Sequence, residues 1–322
     1  MKKLFRNSVV FFILLLLITI IFDFFLSLNL KKAKGIIADE FSVWNAIYDG
    51  TINSELLIYG SSRAWVQIDP QILESTLKKR TYNLGVDGHN FWISYLRHLE
   101  LLKYNKKPSY VIVSLDIFTL EKRIDLYNPE QFLPYMLFNE NMKHYTQSYH
   151  GFNLLDYYLP LLRYTGNSSI VFQAIKSSVK SDAVTSGRKH GYIGMNKVWN
   201  EDLTAAQTKM NAYVPKIDSS AVKLFEQFIQ ECSQNKIKLI FVYTPEYIDG
   251  QRFTKNRDEV MAWFEHFSKK YQIPYLNYSD DIMCQQKEYF FNSEHLNKTG
   301  SAIFSKKLGE ELLKINGLAI VN

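Results

Sequence analysis

The sequence predicts an α/β protein built on a doubly wound, five-stranded parallel sheet. Three observations lead there. Apolar runs of strand length recur along the chain, each separated from the next by a segment of helical period. The run Val111-Ile112-Val113, with its neighbours, is apolar on both faces, as a central parallel strand is. A chain of 322 residues that is 47% hydrophobic can also bury one large core and carry an insertion besides. Strands that alternate with helices need crossover connections, which makes the neighbouring strands parallel.

Taken in order, the first element is a membrane segment. Met1-Lys2-Lys3-Leu4-Phe5-Arg6 precedes an apolar run from Val9 to Phe22, which is broken at Asp23 and resumes through Leu30. Together these residues reach the roughly 20 positions that a spanning helix needs. No small-x-small cleavage site follows and Lys31-Lys32-Ala33-Lys34 closes the far end, so residues 1–34 are expected to be an uncleaved anchor. Asp23 is expected near the far interface, in reach of headgroups and water. Basic residues flank both ends, so charge leaves the orientation open.

The remainder, residues 35–322, reads as one α/β domain. Asp39 to Tyr48 is a short amphipathic helix, and Leu56 to Tyr59 a buried strand. Asp69-Pro70 opens a helix to about Lys79, with proline in the first turn after an acidic cap. Thr81 to Leu84 is a second strand, followed by Gly85-Val86-Asp87-Gly88 and a helix from about Asn90 to Tyr104. Val111-Ile112-Val113 forms the third strand. Helices over Ser219–Asn235 and Asp258–Tyr271 precede the fourth and fifth, Lys238–Tyr243 and Ile273–Tyr278. A helix from about Leu296 to Ile315 ends the pattern. Between strands three and four lies an insertion of about residues 123–217, far longer than a crossover requires. Its first half is aromatic (Tyr135, Phe138, Tyr145, Tyr149, Tyr157, Tyr164) and reads as helical. Its second, around Ser177 to Trp199, carries Gly187, Gly191 and Gly194 and reads as loop. The insertion is either elaborated surface or a platform over the strand ends.

Charge excludes one class of partner. The net charge of +6 is concentrated at the amino terminus, where Lys2, Lys3, Arg6, Lys31, Lys32 and Lys34 face Asp23 alone. The body is near neutral and offers no electrostatic footprint for nucleic acid. Cys232 and Cys284 stand in no metal or redox spacing and read as two isolated core cysteines, a single bridge being the alternative. Without CxxC, HExxH or a phosphate-binding glycine loop, metal, nucleotide and other cofactor chemistry has no support.

Two segments carry chemistry. Gly60-Ser61-Ser62-Arg63 directly follows the first strand. Asn292-Ser293-Glu294-His295-Leu296-Asn297-Lys298-Thr299-Gly300 leads into the last helix. A serine becomes a nucleophile at neutral pH when a base takes its proton, so a hydroxyl and an imidazole on such turns are the minimum for acyl transfer. In open α/β sheets, ligands bind beyond the carboxyl ends of the strands. Gly60-Ser61-Ser62, Asp87-Gly88, Asp116 and His295 all map to that edge.

On these residues the chain resembles the SGNH/GDSL esterase and acyltransferase superfamily, and specifically its membrane-anchored, cell-envelope members. The resemblance covers most of residues 55–122 and 236–315, and implies a flavodoxin-like three-layer sandwich. It makes Ser62 the nucleophile, His295 the base and Gly88 a backbone donor to the oxyanion hole. Two positions depart from the pattern. Asn292 stands where the family has the aspartate of its triad. Asp116 stands where it has an asparagine donor, and an ionised aspartate accepts hydrogen bonds only. Arg63 is expected either to pair with Asp116 or to grip a substrate carboxylate. In a serine protease, an aspartate-to-asparagine exchange costs about 10⁴ in turnover.

The activity implied is that of a serine esterase or O-acyltransferase, working on an acylated cell-envelope glycan through an acyl-serine intermediate. The domain would sit outside the cytoplasmic membrane, with a multi-spanning acyl-exporting membrane protein as partner. The competing expectation is an inactive scaffold of the same fold, which binds glycan or assists that partner.

Overall fold

The structure, a computed structural model, describes residues 1–88, 90–179, 187–315 and 318. In chain order its α-helices are α1 (Lys2–Lys32), α2 (Glu40–Tyr48), α3 (Ser62–Gln67), α4 (Pro70–Leu77), α5 (Phe91–Tyr104), α6 (Glu140–Thr146), α7 (Ser168–Val179), α8 (Asp202–Lys209), α9 (Ser219–Gln234), α10 (Ile248–Phe253), α11 (Arg257–Tyr271) and α12 (Lys298–Leu312). The strands are β1 (Leu56–Tyr59), β2 (Thr81–Asn83), β3 (Tyr110–Leu115), β4 (Lys238–Tyr243) and β5 (Tyr275–Asn277). Residues Met1–Asn45 and Ile124–Gly187 form one compact unit, and Ala46–Arg123 with Arg188–Asn322 form a second.

The second unit holds the sheet. Its order is β2-β1-β3-β4-β5 and every pairing is parallel. Alternation along the strands sends side chains to two faces. Leu56, Ile58, Ile112, Ile240 and Val242 pack with Leu73 and Leu77 of α4 and with Phe304, Leu308 and Leu312 of α12. On the other face an aromatic layer forms: Tyr59 meets His98 of α5 and Phe228 of α9 edge-on, and Phe225 meets Phe241 of β4 and Phe267 of α11. Helices on both faces of a parallel sheet make the three-layer α/β sandwich that the alternation predicts.

Local signals explain the helix starts. The side chains of Asp69, Asn90, Asp218 and Asn297 cap α4, α5, α9 and α12 by accepting backbone N–H bonds. The strands at the edges are shorter than the sequence suggests: β5 pairs only over Tyr275–Asn277. Three short helices, α3, α8 and α10, fall where sequence periodicity is too brief to register. Cys232 and Cys284 are buried free thiols, and burial pushes the thiol of Cys232 upward.

The other unit contains α1, a straight run of 31 residues, about 46 Å long at 1.5 Å per residue. Among the described residues it is the one helix long and apolar enough to cross a membrane, by length and composition. Its apolar side chains from Leu4 to Phe22 are mostly exposed, whereas Asp23, Leu26, Ser27 and Leu30 are buried. Asp23 does not reach water as expected: Arg163 binds it bidentately. The aromatic half of the insertion is less helical than expected. Short 3-10 turns at Pro129–Tyr135, Leu154–Tyr157 and Leu162–Tyr164 precede and separate α6 and α7, and in the first of them Pro134 removes a helical donor. The expected loop at Ser177–Trp199 begins inside α7, lies partly outside the described residues at 180–186, and is loop from 187 to 199.

Candidate active site

The site lies at the carboxyl ends of β1, β2 and β3. Gly60 ends β1 with φ +147, and a Cβ there would meet the Ser114 carbonyl at 2.7 Å, so only glycine lets the chain turn so close to β3. Ser61 then caps α3: its Oγ accepts from the Arg63 N–H at 3.2 Å and donates to Asp116 Oδ2 at 2.5 Å. This places Ser62 at the first position of α3, facing the pocket.

Ser62 Oγ lies 2.8 Å from His295 Nε2. The tautomer follows from the other side of the ring. Asn292 Oδ1 accepts the backbone N–H groups of Glu294 and His295, at 3.1 and 2.9 Å, which fixes the amide with its oxygen inward. That oxygen is 2.9 Å from His295 Nδ1 and can only accept, so Nδ1 carries the hydrogen. Nε2 therefore presents its lone pair to the serine hydroxyl. Asn292 thus holds the imidazole through an uncharged acceptor. Phe291 stacks on the imidazole at 5.3 Å, and Gln67 of α3 donates to the Glu294 carbonyl at 2.6 Å, which ties the histidine turn to the serine helix.

The pocket, of ≈ 230 Å³, is lined by Ser61, Ser62, Arg63, Asp87, Gly88, Phe118, Arg123, Glu294 and His295. Gly88 has φ +70, and its carbonyl accepts from Arg123 Nη1 at 3.2 Å. Burial pushes the His295 pKa down to about 3; Arg63 pushes the same way, Asp202 opposes, and Lys197 adds to the lowering. The ring is thus neutral at neutral pH. Burial raises the Glu294 pKa to about 7, helped by Glu246 and opposed by Arg63.

The two departures resolve differently. Asp116 accepts from Ser61 Oγ, the Phe118 N–H and the Thr119 hydroxyl, so its lone pairs serve the turn and do not face an oxyanion. Arg63 does not form the expected pair with Asp116. Its Nε donates to Thr244 Oγ1 at 3.2 Å and an Nη to the Thr244 carbonyl at 2.5 Å. Its other Nη lies 3.6 Å from Glu246, and the guanidinium sits over the Tyr243 ring. With 2% of its side chain exposed, Arg63 bridges the ends of β1 and β4 and is not a free anion grip.

Sequence reasoning passed over Arg123, Phe118 and Asp202. Arg123 and Phe118 sit just beyond β3, where position alone marks neither. Asp202 comes from the insertion, and nothing in the sequence joins it to Asn292. Among the described residues no group of three His, Cys, Asp or Glu side chains could hold a metal ion.

No protein-family model matches the sequence. No curated protein matches it either. Similar solved structures include a platelet activating factor structure from Streptococcus pneumonia, 11% identical, covering 84% of this chain and 90% of that one at a TM-score of 0.41. Another is a lipolytic protein of the G-D-S-L family from Desulfitobacterium hafniense, 12% identical, with coverages of 80% and 98% and a TM-score of 0.36. A GDSL-like lipase from Bacteroides thetaiotaomicron is 12% identical over 85% and 98% of the two chains, at 0.34.

Proposed function

We propose that this protein is a membrane-anchored serine esterase or O-acyltransferase that acts on an acylated cell-envelope glycan. The observation that carries the reading is the Ser62–His295–Asn292 array, in which the imidazole lone pair faces the serine hydroxyl at hydrogen-bond distance. Ser62 Oγ attacks the ester carbonyl while His295 Nε2 takes its proton. The backbone amides of Ser62 and Gly88 receive the oxyanion. The imidazolium returns the proton to the departing alkoxide, leaving an acyl-serine. Water or a sugar hydroxyl, deprotonated by the same imidazole, then attacks the acyl carbon and frees the serine.

The pocket supports a short acyl group over a fatty one, since it holds only ≈ 230 Å³ and Phe118 is the one apolar side chain in its lining. The apolar α1 supports anchoring, and in this reading the catalytic unit lies on the extracytoplasmic side. A multi-spanning acyl-exporting membrane protein would supply the acyl donor. The test is a fluorophosphonate probe on the full-length protein in detergent. Covalent labelling of wild type, absent in Ser62→Ala, supports the reading. No labelling of folded wild type favours the scaffold alternative.

A further inference from the structure

The histidine is backed by more than Asn292. Asn292 Nδ2 donates to Asp202 Oδ2 at 3.2 Å, while Asn292 Oδ1 receives the imidazole N–H. Asp202 is itself held: Asn200 Nδ2 donates to Asp202 Oδ2 at 2.6 Å, and the Asp202 N–H returns to Asn200 Oδ1 at 3.1 Å. The segment bearing it is pinned to the catalytic turn at two backbone positions, by the Asn200 N–H on the Phe291 carbonyl at 2.9 Å and the Lys298 N–H on the Met195 carbonyl at 2.8 Å. Asp202 opens α8, so its backbone geometry is also set by a helix start.

We propose that Asp202 is a positioning residue which supplies, through the Asn292 amide, the negative charge that a triad aspartate would place directly on the histidine. This rests on the serine-esterase reading above. An amide whose N–H is held by a carboxylate is polarised, and its carbonyl oxygen becomes a stronger acceptor for the imidazole N–H. The imidazolium formed during acylation is stabilised, at one bond's remove, by the Asp202 charge. The charged groups acting on His295 are Arg63 and Lys197, which disfavour the imidazolium, and Asp202, which favours it. Asp202 is exposed, so water and salt weaken the effect without abolishing it.

Asp202→Asn tests the charge alone, because asparagine retains an acceptor for Asn292 and keeps the backbone bond to Asn200. The fluorophosphonate labelling rate should fall about three- to tenfold, and the deficit should shrink in 1 M salt. Asn292→Asp alone sets two carboxylates where one hydrogen bond had been, and should label no faster than wild type. The exchanged pair Asp202→Asn/Asn292→Asp should recover or exceed the wild-type rate. Side-chain NMR of histidine-labelled protein, with His295 assigned through His295→Asn, gives a readout independent of turnover: Asp202→Asn should lower the pH at which His295 protonates. If wild type labels and Asp202→Asn matches it in rate, salt response and His295 titration, the proposal is overturned. If wild type does not label, the esterase reading fails, and the NMR titration alone decides whether Asp202 acts on His295.

Discussion

Asp23 of α1 accepts both Nη groups of Arg163, at 2.6 and 2.7 Å, with 5% and 1% of the two side chains exposed. Arg163 also donates to the Leu133 carbonyl and to Ser27 Oγ, and Asp23 accepts the Leu161 N–H. The one acidic residue in the apolar run is thus the point where α1 is locked to the 3-10 turns of its own unit. A bidentate pair sealed from water is strong only while both partners remain.

Arg163→Ala should therefore destabilise that unit by about 3–5 kcal/mol, because it leaves Asp23 buried without a counter-charge. Asp23→Leu/Arg163→Leu should recover much of the loss by removing both charges. Protease susceptibility between residues 124 and 179, measured in detergent, checks this. Equal protection in wild type and Arg163→Ala would show the pair to be idle.

Ser62→Ala and His295→Ala should each abolish labelling and any envelope acylation phenotype while the protein stays folded. In the proposed mechanism both residues serve one proton transfer, so the double variant should be hardly worse than either single one. Rate constants from the three variants provide the comparison; full function in both singles would leave the scaffold reading.

Stability should depend on pH through two opposed groups. His295 has a folded pKa of about 3, below its ordinary value, so the unfolded chain binds a proton first and stability is lost as pH falls below about 6.5. Glu294 has a folded pKa of about 7, above its ordinary value, so the folded chain holds its proton longer and stability is lost as pH rises from about 4.5 to 7. The two partly cancel between about pH 4.5 and 6.5. Glu294→Gln should leave a profile that rises with pH across this window, and His295→Asn one that falls. Urea midpoints at half-unit pH steps would read both slopes.

Asp116→Ala should cost about 1–3 kcal/mol, since Ser61 Oγ and the Phe118 N–H lose their acceptor in a buried turn. Labelling of Ser62 should slow as well, because Ser61 sets the start of α3. Asp116→Asn, which retains an acceptor, should recover most of the stability; thermal melts and labelling of both variants separate the two effects.

Most of the sheet was legible along the chain. Leu56–Tyr59, Lys238–Tyr243 and the caps Asp69 and Asn90 announce themselves because strand burial and helix capping are local demands, met by residues a few positions apart. Locality places the turns that carry Ser62 and His295 at the sheet's carboxyl edge, and the resemblance to a known family singled out these two residues on them. Edge strands and the aromatic half of the insertion were read less well, since β5 is trimmed by its single neighbour and prolines break the helical period.

What the sequence by itself determined is the parallel α/β layering, the apolar amino-terminal helix and the serine and histidine that face each other. Tertiary structure alone decided how charge is distributed around them. Arg63 goes to Glu246, just past the carboxyl end of β4, and Asp116 to Ser61, while Asp202 crosses from the insertion to Asn292 and Arg163 closes on Asp23. The reason is physical. Burial and period are written in neighbouring residues, but a charge accepts any opposite or hydrogen-bonding partner that the fold brings within about 4 Å, and that distance is set by packing between segments far apart in the chain.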